Sequence, residues 1–269
     1  MIRLPAVSLP AADAARLATF QAGIDSSRSY AKAVAEAKRL FALRNTNQNK
    51  TFQAVRAALA TMCSGARRCC YCEDSCADEV EHIRPKDLYP HLVFTWENYV
   101  YACGPCNGPK NNKFRIFDPR SGTVLEISRK VGDPVRKPPD GDPLLVNPRH
   151  EDPLGYLELE MDKTFYLLPR PGLSKRDRQR AEYTIELLHL NDRDLLPRAR
   201  RNAFGSFRAR LIEYEKKKRQ RVAATILQNL VMDLLQTPHL TVWAEMKRQR
   251  NHYAELAGLF RHVPEALNW

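Results

Sequence analysis

The chain has 269 residues, of which 43% are hydrophobic and 28% are charged, so it can bury a sizeable core and is not a disordered polymer. Its 43 Lys and Arg outnumber its 31 Asp and Glu, and the resulting net charge of +12 favours a polyanionic partner such as nucleic acid. No apolar run reaches the roughly 18 residues of a membrane helix, and the start is unlike a signal peptide. We therefore expect a cytoplasmic protein without membrane association.

The N-terminal arm, residues 1–62, is predicted to be helical and basic. Apolar residues recur at helical spacing in AADAARLATF, YAKAVAEAKRLFAL and TFQAVRAALATM. The Lys and Arg side chains between them are suited to contact phosphates that flank a binding site. For any single one of these residues, a solvated helix face is the alternative.

Seven cysteines lie within residues 63–106, where the local charge turns acidic. Two pairs have the C-x-x-C spacing, Cys69 with Cys72 and Cys103 with Cys106. Such a turn places two thiolates on one side of a tight knuckle, and two knuckles complete a tetrahedral four-thiolate zinc site. Cys70 and Cys76 are close enough in sequence to replace a member of this set.

The segment Cys103-Gly-Pro-Cys106 also matches the motif of thioredoxin-like thiol–disulfide exchangers. This alternative predicts a reducible Cys103–Cys106 pair and no bound zinc. The second C-x-x-C pair upstream favours zinc over the exchanger.

A strand–loop–strand–helix unit is predicted between the two cysteine pairs and just beyond them. The polar segment 107–113 has the composition of a helix start. The apolar residues that indicate the two strands are Val80, Ile83, Val93, Phe94, Tyr99 and Val100.

Residues 69–113 resemble the HNH (ββα-metal) endonucleases that carry a zinc-knuckle frame. The family pattern is C-x-x-C, an acid before a His, an Asn, and then C-x-x-C-N-x-x-K. The matching residues, in chain order, are Cys69, Cys72, Glu81, His82, Asn98, Cys103, Cys106, Asn107 and Lys110. The resemblance implies a metal-dependent hydrolase of phosphodiester bonds in DNA.

The resemblance also implies a role for each of five residues. Hydrolysis needs a deprotonated water, and His82 is implied to be the general base, since an imidazole with a pKa near 6.5 accepts protons at neutral pH. Glu81 and Asn107 are implied to bind a catalytic Mg²⁺ or Mn²⁺ through oxygen. Asn98 is implied to hold the loop that orients His82, and Lys110 to contact phosphate.

Other interpretations of the same residues stay open. Glu81 and His82 could be surface residues of a zinc-stabilised nucleic-acid-binding module without catalysis, or His82 could replace a cysteine on zinc. Asn98 could cap a turn, as Asn often does. The binding module predicts that His82→Ala has no measurable effect on a cleavage assay.

Beyond the nuclease-like module, residues 63–120, a connector at 121–150 is rich in Gly and Pro and predicts little regular structure. YLELEMDKTFYLL, residues 156–168, predicts a hairpin. The C-terminal region, residues 151–269, is predicted to be basic and mainly helical beyond Ser174. Its apolar stripe over 222–236 is typical of a core helix, with a partner surface as the alternative.

The expected fold class is α+β and mainly helical, with a small zinc-stapled ββα-metal module inserted between helical segments. LLVNPRHEDP (144–153) and TIELLHLNDRDLLPRAR (184–200), together with the HNH segment, resemble the HNH proteins of Septu and retron-associated anti-phage systems. That resemblance implies a partner ATPase of the SMC/ABC-like kind. The sequence itself has no Walker motif, so any ATP dependence would come from another chain.

Overall fold

The computed structural model describes residues 1–130 and 132–269. Three helices open the chain, α1 (Ala11–Asp25), α2 (Tyr30–Arg44) and α3 (Lys50–Met62), which confirms the predicted helical arm. The side chains of Ser29 and Asn49 accept hydrogen bonds from the backbone of the first turns of α2 and α3 and so cap them. A buried face of α3 packs on the strand β2 introduced below.

Two short strands and a helix follow the arm. Strand β1 (Glu79–His82) pairs antiparallel with β2 (Tyr99–Ala102), so that His82 lies opposite Tyr99, and α4 (Gly104–Lys110) follows directly. The predicted ββα order is present, with two differences. Ile83, Val93 and Phe94 are buried but lie outside the strands, and α4 begins three residues before Asn107, because Pro105 suits a first helical turn.

The connector was predicted to have little regular structure, and this was wrong in part. It contains two short strands, β4 (Val124–Ile127) and β5 (Asp142–Pro143). They flank β3 (Phe114–Phe117), which lies just before the connector, in a small sheet of order β4-β3-β5. Gly141 permits the approach of β5, since a Cβ there would clash with the Phe117 carbonyl oxygen. Val131, within the connector, lies outside the described residues.

The remainder follows the prediction closely. Strands β6 (Leu157–Leu159) and β7 (Leu167–Pro169) form the predicted hairpin. Five helices then run to a final 3₁₀ turn. They are α5 (Lys175–Leu187), α6 (Leu195–Arg219), α7 (Ala224–Leu235), α8 (Leu240–Gln249) and α9 (Ala254–His262). The fold is therefore α+β and mainly helical, as expected from the sequence.

Helix α7 differs from the core helix that its stripe predicted. Leu234 is its one fully buried residue, whereas Ile226, a member of the predicted stripe, is 44% exposed. Leu227 and Leu230 are half-buried against the core. The stripe is thus shared between the core and the surface, because α7 packs mainly along α6.

One continuous apolar core joins the arm, the ββα unit and the C-terminal helices, and it includes the four paired cysteines. A second, smaller cluster lies under β3 and β4. Among the described residues, no helix is both long and apolar enough to span a bilayer.

Candidate active site

The four cysteines of the two C-x-x-C pairs converge in the structure. All four are buried, and their sulfur atoms lie within 4.8 Å of one another. Cys69 and Cys72 precede β1, whereas Cys103 and Cys106 sit where β2 passes into α4. The cluster therefore ties together the two ends of the ββα unit.

The spacing of the sulfurs suits a tetrahedral metal ion such as zinc. A zinc–thiolate bond of about 2.3 Å places neighbouring sulfurs of a tetrahedron about 3.8 Å apart. The sulfurs of Cys72 and Cys103 lie 3.8 Å apart. Arg193 donates to the Cys106 sulfur at 3.2 Å, and a cationic donor of this kind favours the thiolate form.

The cysteines outside the cluster lie in other surroundings. Cys76 is exposed and accepts a hydrogen bond from Arg67, and Cys70 is buried beside Cys63, whose thiol raises the pKa of Cys70. Cys70 and Cys76 therefore do not replace a member of the cluster. Cys103 is only 2% exposed and shares its surroundings with Cys69 and Cys72, so the Cys103–Cys106 pair is poorly placed to meet a disulfide substrate.

Beside the cluster, an open cavity of about 500 Å³ lies against β1 and α4. The loop between α2 and α3 forms its other wall, so the arm completes a site that the ββα unit alone would leave open. The residues that line it include Phe41, Asn45, Arg56, Glu79, Glu81, His82, Lys86 and Asn107. Three of the residues implied by the resemblance, Glu81, His82 and Asn107, thus face one cavity.

The His82 imidazole is buried and held in one orientation. Its Nε2 lies 3.0 Å from the Val93 carbonyl oxygen, and the rings of Phe41 and Tyr99 pack edge-on against it. Because a carbonyl only accepts, Nε2 carries the hydrogen of the neutral ring, and Nδ1 keeps its lone pair. Burial, followed by the positive charge of Lys86, lowers the pKa of His82 to about 3.

Glu81 and Lys110 form a buried ion pair. Lys110 is fully buried, and its ammonium contacts Glu81 Oε1 and donates to the His82 carbonyl oxygen at 2.8 Å. Burial raises the pKa of Glu81, and the adjacent Lys110 opposes that rise. Lys110 was expected to contact phosphate, but in the structure its buried ammonium pairs with the Glu81 carboxylate, because a buried charge needs a counterion.

Asn98 fastens both sides of the loop between β1 and β2. Its Oδ1 accepts from the Arg84 backbone N–H at 2.8 Å. Its Nδ2 donates to the carbonyl oxygens of Arg84 at 3.0 Å and Leu92 at 3.1 Å. The loop that carries the Val93 carbonyl, the partner of His82, is thereby pinned at its start and near its end.

Asn107 forms no hydrogen bond with Glu81. Its Nδ2 donates to Glu79 Oε2, a residue that the sequence reasoning passed over. The sequence did contain an indication of Glu79, because Glu79 and Glu81 lie two residues apart on one predicted strand and therefore project to the same face. Arg56, one of the basic residues of the arm that were expected to contact phosphate, also lines the cavity, whereas Lys86 lines it but carried no motif that would have identified it.

The cavity has the donor chemistry of a hard divalent ion. Glu81 and Asn107 offer oxygen atoms to it, and Mg²⁺ is commonly held by one or two carboxylates with its other positions filled by water and phosphate. Glu81 Oε1 is buried and already contacts the Lys110 ammonium, which leaves Oε2 of this carboxylate for an ion. The residues present therefore fit such an ion.

No protein-family model matches the chain. It is similar to the Septu protein PtuB of Bacillus thuringiensis, with 28% identity over 143 residues. The aligned segment covers 51% of this chain and 42% of that protein. The similarity is thus distant and spans less than half the length of the relative.

Proposed function

We propose that this chain is an HNH endonuclease that hydrolyses phosphodiester bonds of DNA, with structural zinc on the four-cysteine cluster and a catalytic divalent ion in the cavity. One observation carries the proposal. Glu81, His82 and Asn107 line a single open cavity on a ββα unit whose ends meet at four buried cysteines. The distant similarity to a Septu protein supports a role as the nuclease subunit of an anti-phage defence system.

His82 is the general base of the proposed reaction. Its Nδ1 accepts a proton from the attacking water, while the Val93 carbonyl holds Nε2–H and fixes the ring. In the free protein the ring is neutral and ready to accept, because its pKa of about 3 lies far below neutrality. An anionic phosphate bound beside it raises that pKa and so strengthens the base when substrate is present.

The other residues hold charge and geometry in place. Glu81 and Asn107 would hold the divalent ion, whose chemistry is to neutralise charge on the scissile phosphate and on the leaving oxygen. Lys110 fixes the Glu81 carboxylate and the strand end at His82. Asn98 orients His82 indirectly, through the loop that carries Val93.

Charge and similarity support the proposed substrate and partner. Arg56 and Lys86 on the cavity walls add positive charge next to Glu81, and the net charge of +12 supports binding to the DNA backbone without sequence readout. The resemblance to the HNH proteins of Septu and retron-associated systems, with which the similarity to the Septu protein agrees, supports a partner ATPase of the SMC/ABC-like kind. Because the sequence has no Walker motif, any ATP dependence would come from that partner.

The test is cleavage of supercoiled plasmid and of single-stranded DNA by the zinc-loaded protein, with Mg²⁺, Mn²⁺ or EDTA, with and without the candidate ATPase. We expect metal-dependent cleavage that His82→Ala abolishes. His252→Ala, the same substitution at an exposed site, should cleave like the wild type. DNA binding without cleavage in every combination, including with the ATPase, would instead support the zinc-stabilised binding module.

A further inference from the structure

Glu79 is the only described residue that hydrogen-bonds the Asn107 side chain. The bond joins Glu79 Oε2 to Asn107 Nδ2, across the junction between β1 and α4. Gly104, at the start of α4, leaves room for the other carboxylate oxygen, since a Cβ there would lie 3.3 Å from Glu79 Oε1. The carboxylate is therefore seated between the strand and the first turn of the helix.

The chemistry of this bond fixes which end of the carboxamide faces the cavity. A carboxylate only accepts, so the amide nitrogen of Asn107 must point at Glu79. No described residue donates to Oδ1, and Asn107 lines the cavity, so the oxygen is left to face it. A carboxamide without such a partner can turn by 180° and present N–H groups, which repel a cation.

We propose that Glu79 is a positioning residue that sets the Asn107 carboxamide with its oxygen toward the divalent ion. The inference rests on the proposed function, in which Asn107 is a ligand of that ion. It adds a residue that touches neither the ion nor the substrate. Hydrogen-bond partners behind metal ligands characteristically control affinity in this way, and their loss typically weakens binding by about 10- to 100-fold.

The experiment measures Mn²⁺ binding to the zinc-loaded protein by electron paramagnetic resonance of free Mn²⁺, apart from any cleavage assay. We expect Glu79→Ala to raise the Mn²⁺ Kd by about tenfold or more. Glu79→Gln keeps an acceptor oxygen and should lie between the wild type and Glu79→Ala. Glu213→Ala, which removes an exposed carboxylate of α6, should leave the Kd unchanged.

A double substitution separates positioning from simple charge attraction. If Glu79 acts through Asn107, Glu79→Ala adds nothing to the Kd of an Asn107→Ala protein. If Glu79 attracts the ion by its charge alone, it weakens binding equally in both backgrounds, and the proposal is overturned. Zinc content and melting temperature identify a variant that fails to fold, in which case Glu79→Gln and its double mutant decide.

The outcome also distinguishes this inference from the proposed function. A wild type that binds Mn²⁺ and cleaves DNA through His82, beside a Glu79→Ala protein that binds Mn²⁺ equally well, overturns the role of Glu79 alone. A wild type that neither binds Mn²⁺ nor cleaves, with or without the ATPase, overturns both.

Discussion

Replacing Lys110 by Met should reveal how strongly the buried Glu81–Lys110 pair supports the site. Met has a similar length and removes the ammonium while still filling the space. The side chain of Lys110 is fully buried and that of Glu81 is 8% exposed, so the substitution leaves a buried carboxylate without a counterion. Breaking a buried pair in this manner costs about 3–5 kcal/mol of unfolding free energy. For a chain of this size that corresponds to a fall of roughly 10 °C in melting temperature.

The loss should depend on pH in a defined direction. Burial already raises the pKa of Glu81, and removing Lys110 raises it further, so the folded state binds a proton more tightly than the unfolded chain. Stability of the variant therefore rises as the pH falls toward the raised pKa. The penalty of Lys110→Met should be largest near pH 8 and smaller at pH 5.5.

The assay is urea unfolding of the zinc-loaded protein at both pH values, followed by circular dichroism. Lys113→Met, at an exposed position three residues away, is the matched control and should change stability by less than about 0.5 kcal/mol. Glu81→Gln combined with Lys110→Met should recover part of the loss, because the uncompensated charge is gone. A loss below about 1 kcal/mol for Lys110→Met, or one independent of pH, would refute the reasoning.

Three further expectations concern the frame and the base. Cys72→Ser, or removal of zinc by a chelator, should abolish zinc binding and unfold the ββα unit, seen as loss of bound metal and of amide protection over residues 69–110. Asn98→Ala should lower the free energy of unfolding in urea by about 2–3 kcal/mol and slow cleavage, because the two hydrogen bonds that the side chain donates and the one that it accepts are lost. A variant with unchanged unfolding free energy would contradict the role of Asn98 in holding the loop between β1 and β2. Single-turnover cleavage should change by less than about twofold between pH 7 and pH 8, because His82 is already deprotonated; a rise of tenfold would mean that another group titrates.

Features encoded locally could be predicted from the sequence. The four clustered cysteines follow from the C-x-x-C spacing, because each knuckle is a local turn, and the helices of the arm follow from apolar periodicity. The hairpin around Asp162 was equally predictable from alternation on both sides of a turn.

Features that depend on tertiary contacts could not be predicted. Lys110 forms an ion pair with Glu81, and Asn107 forms a hydrogen bond with Glu79, and the partners in each pair are 28 or more residues apart in sequence. The packing of α4 on β1 determines both contacts. The short strands β3, β4 and β5 were not predicted, because they are stabilised by pairing with one another, which their individual sequences hardly indicate. The exposure of Ile226 likewise depends on which helices cover α7.

The four-cysteine cluster also constrains the chain before it folds. A metal that joins Cys69 and Cys72 to Cys103 and Cys106 closes a loop of about thirty residues, and a cross-link of that span removes about 4 kcal/mol of conformational entropy from the unfolded ensemble. The strands β1 and β2 then pair within a short closed loop, so that less conformational entropy is lost when they come together. The segment between the two cysteine pairs therefore needs less stabilisation from its own side-chain packing, and more of its positions are available for residues that line the cavity.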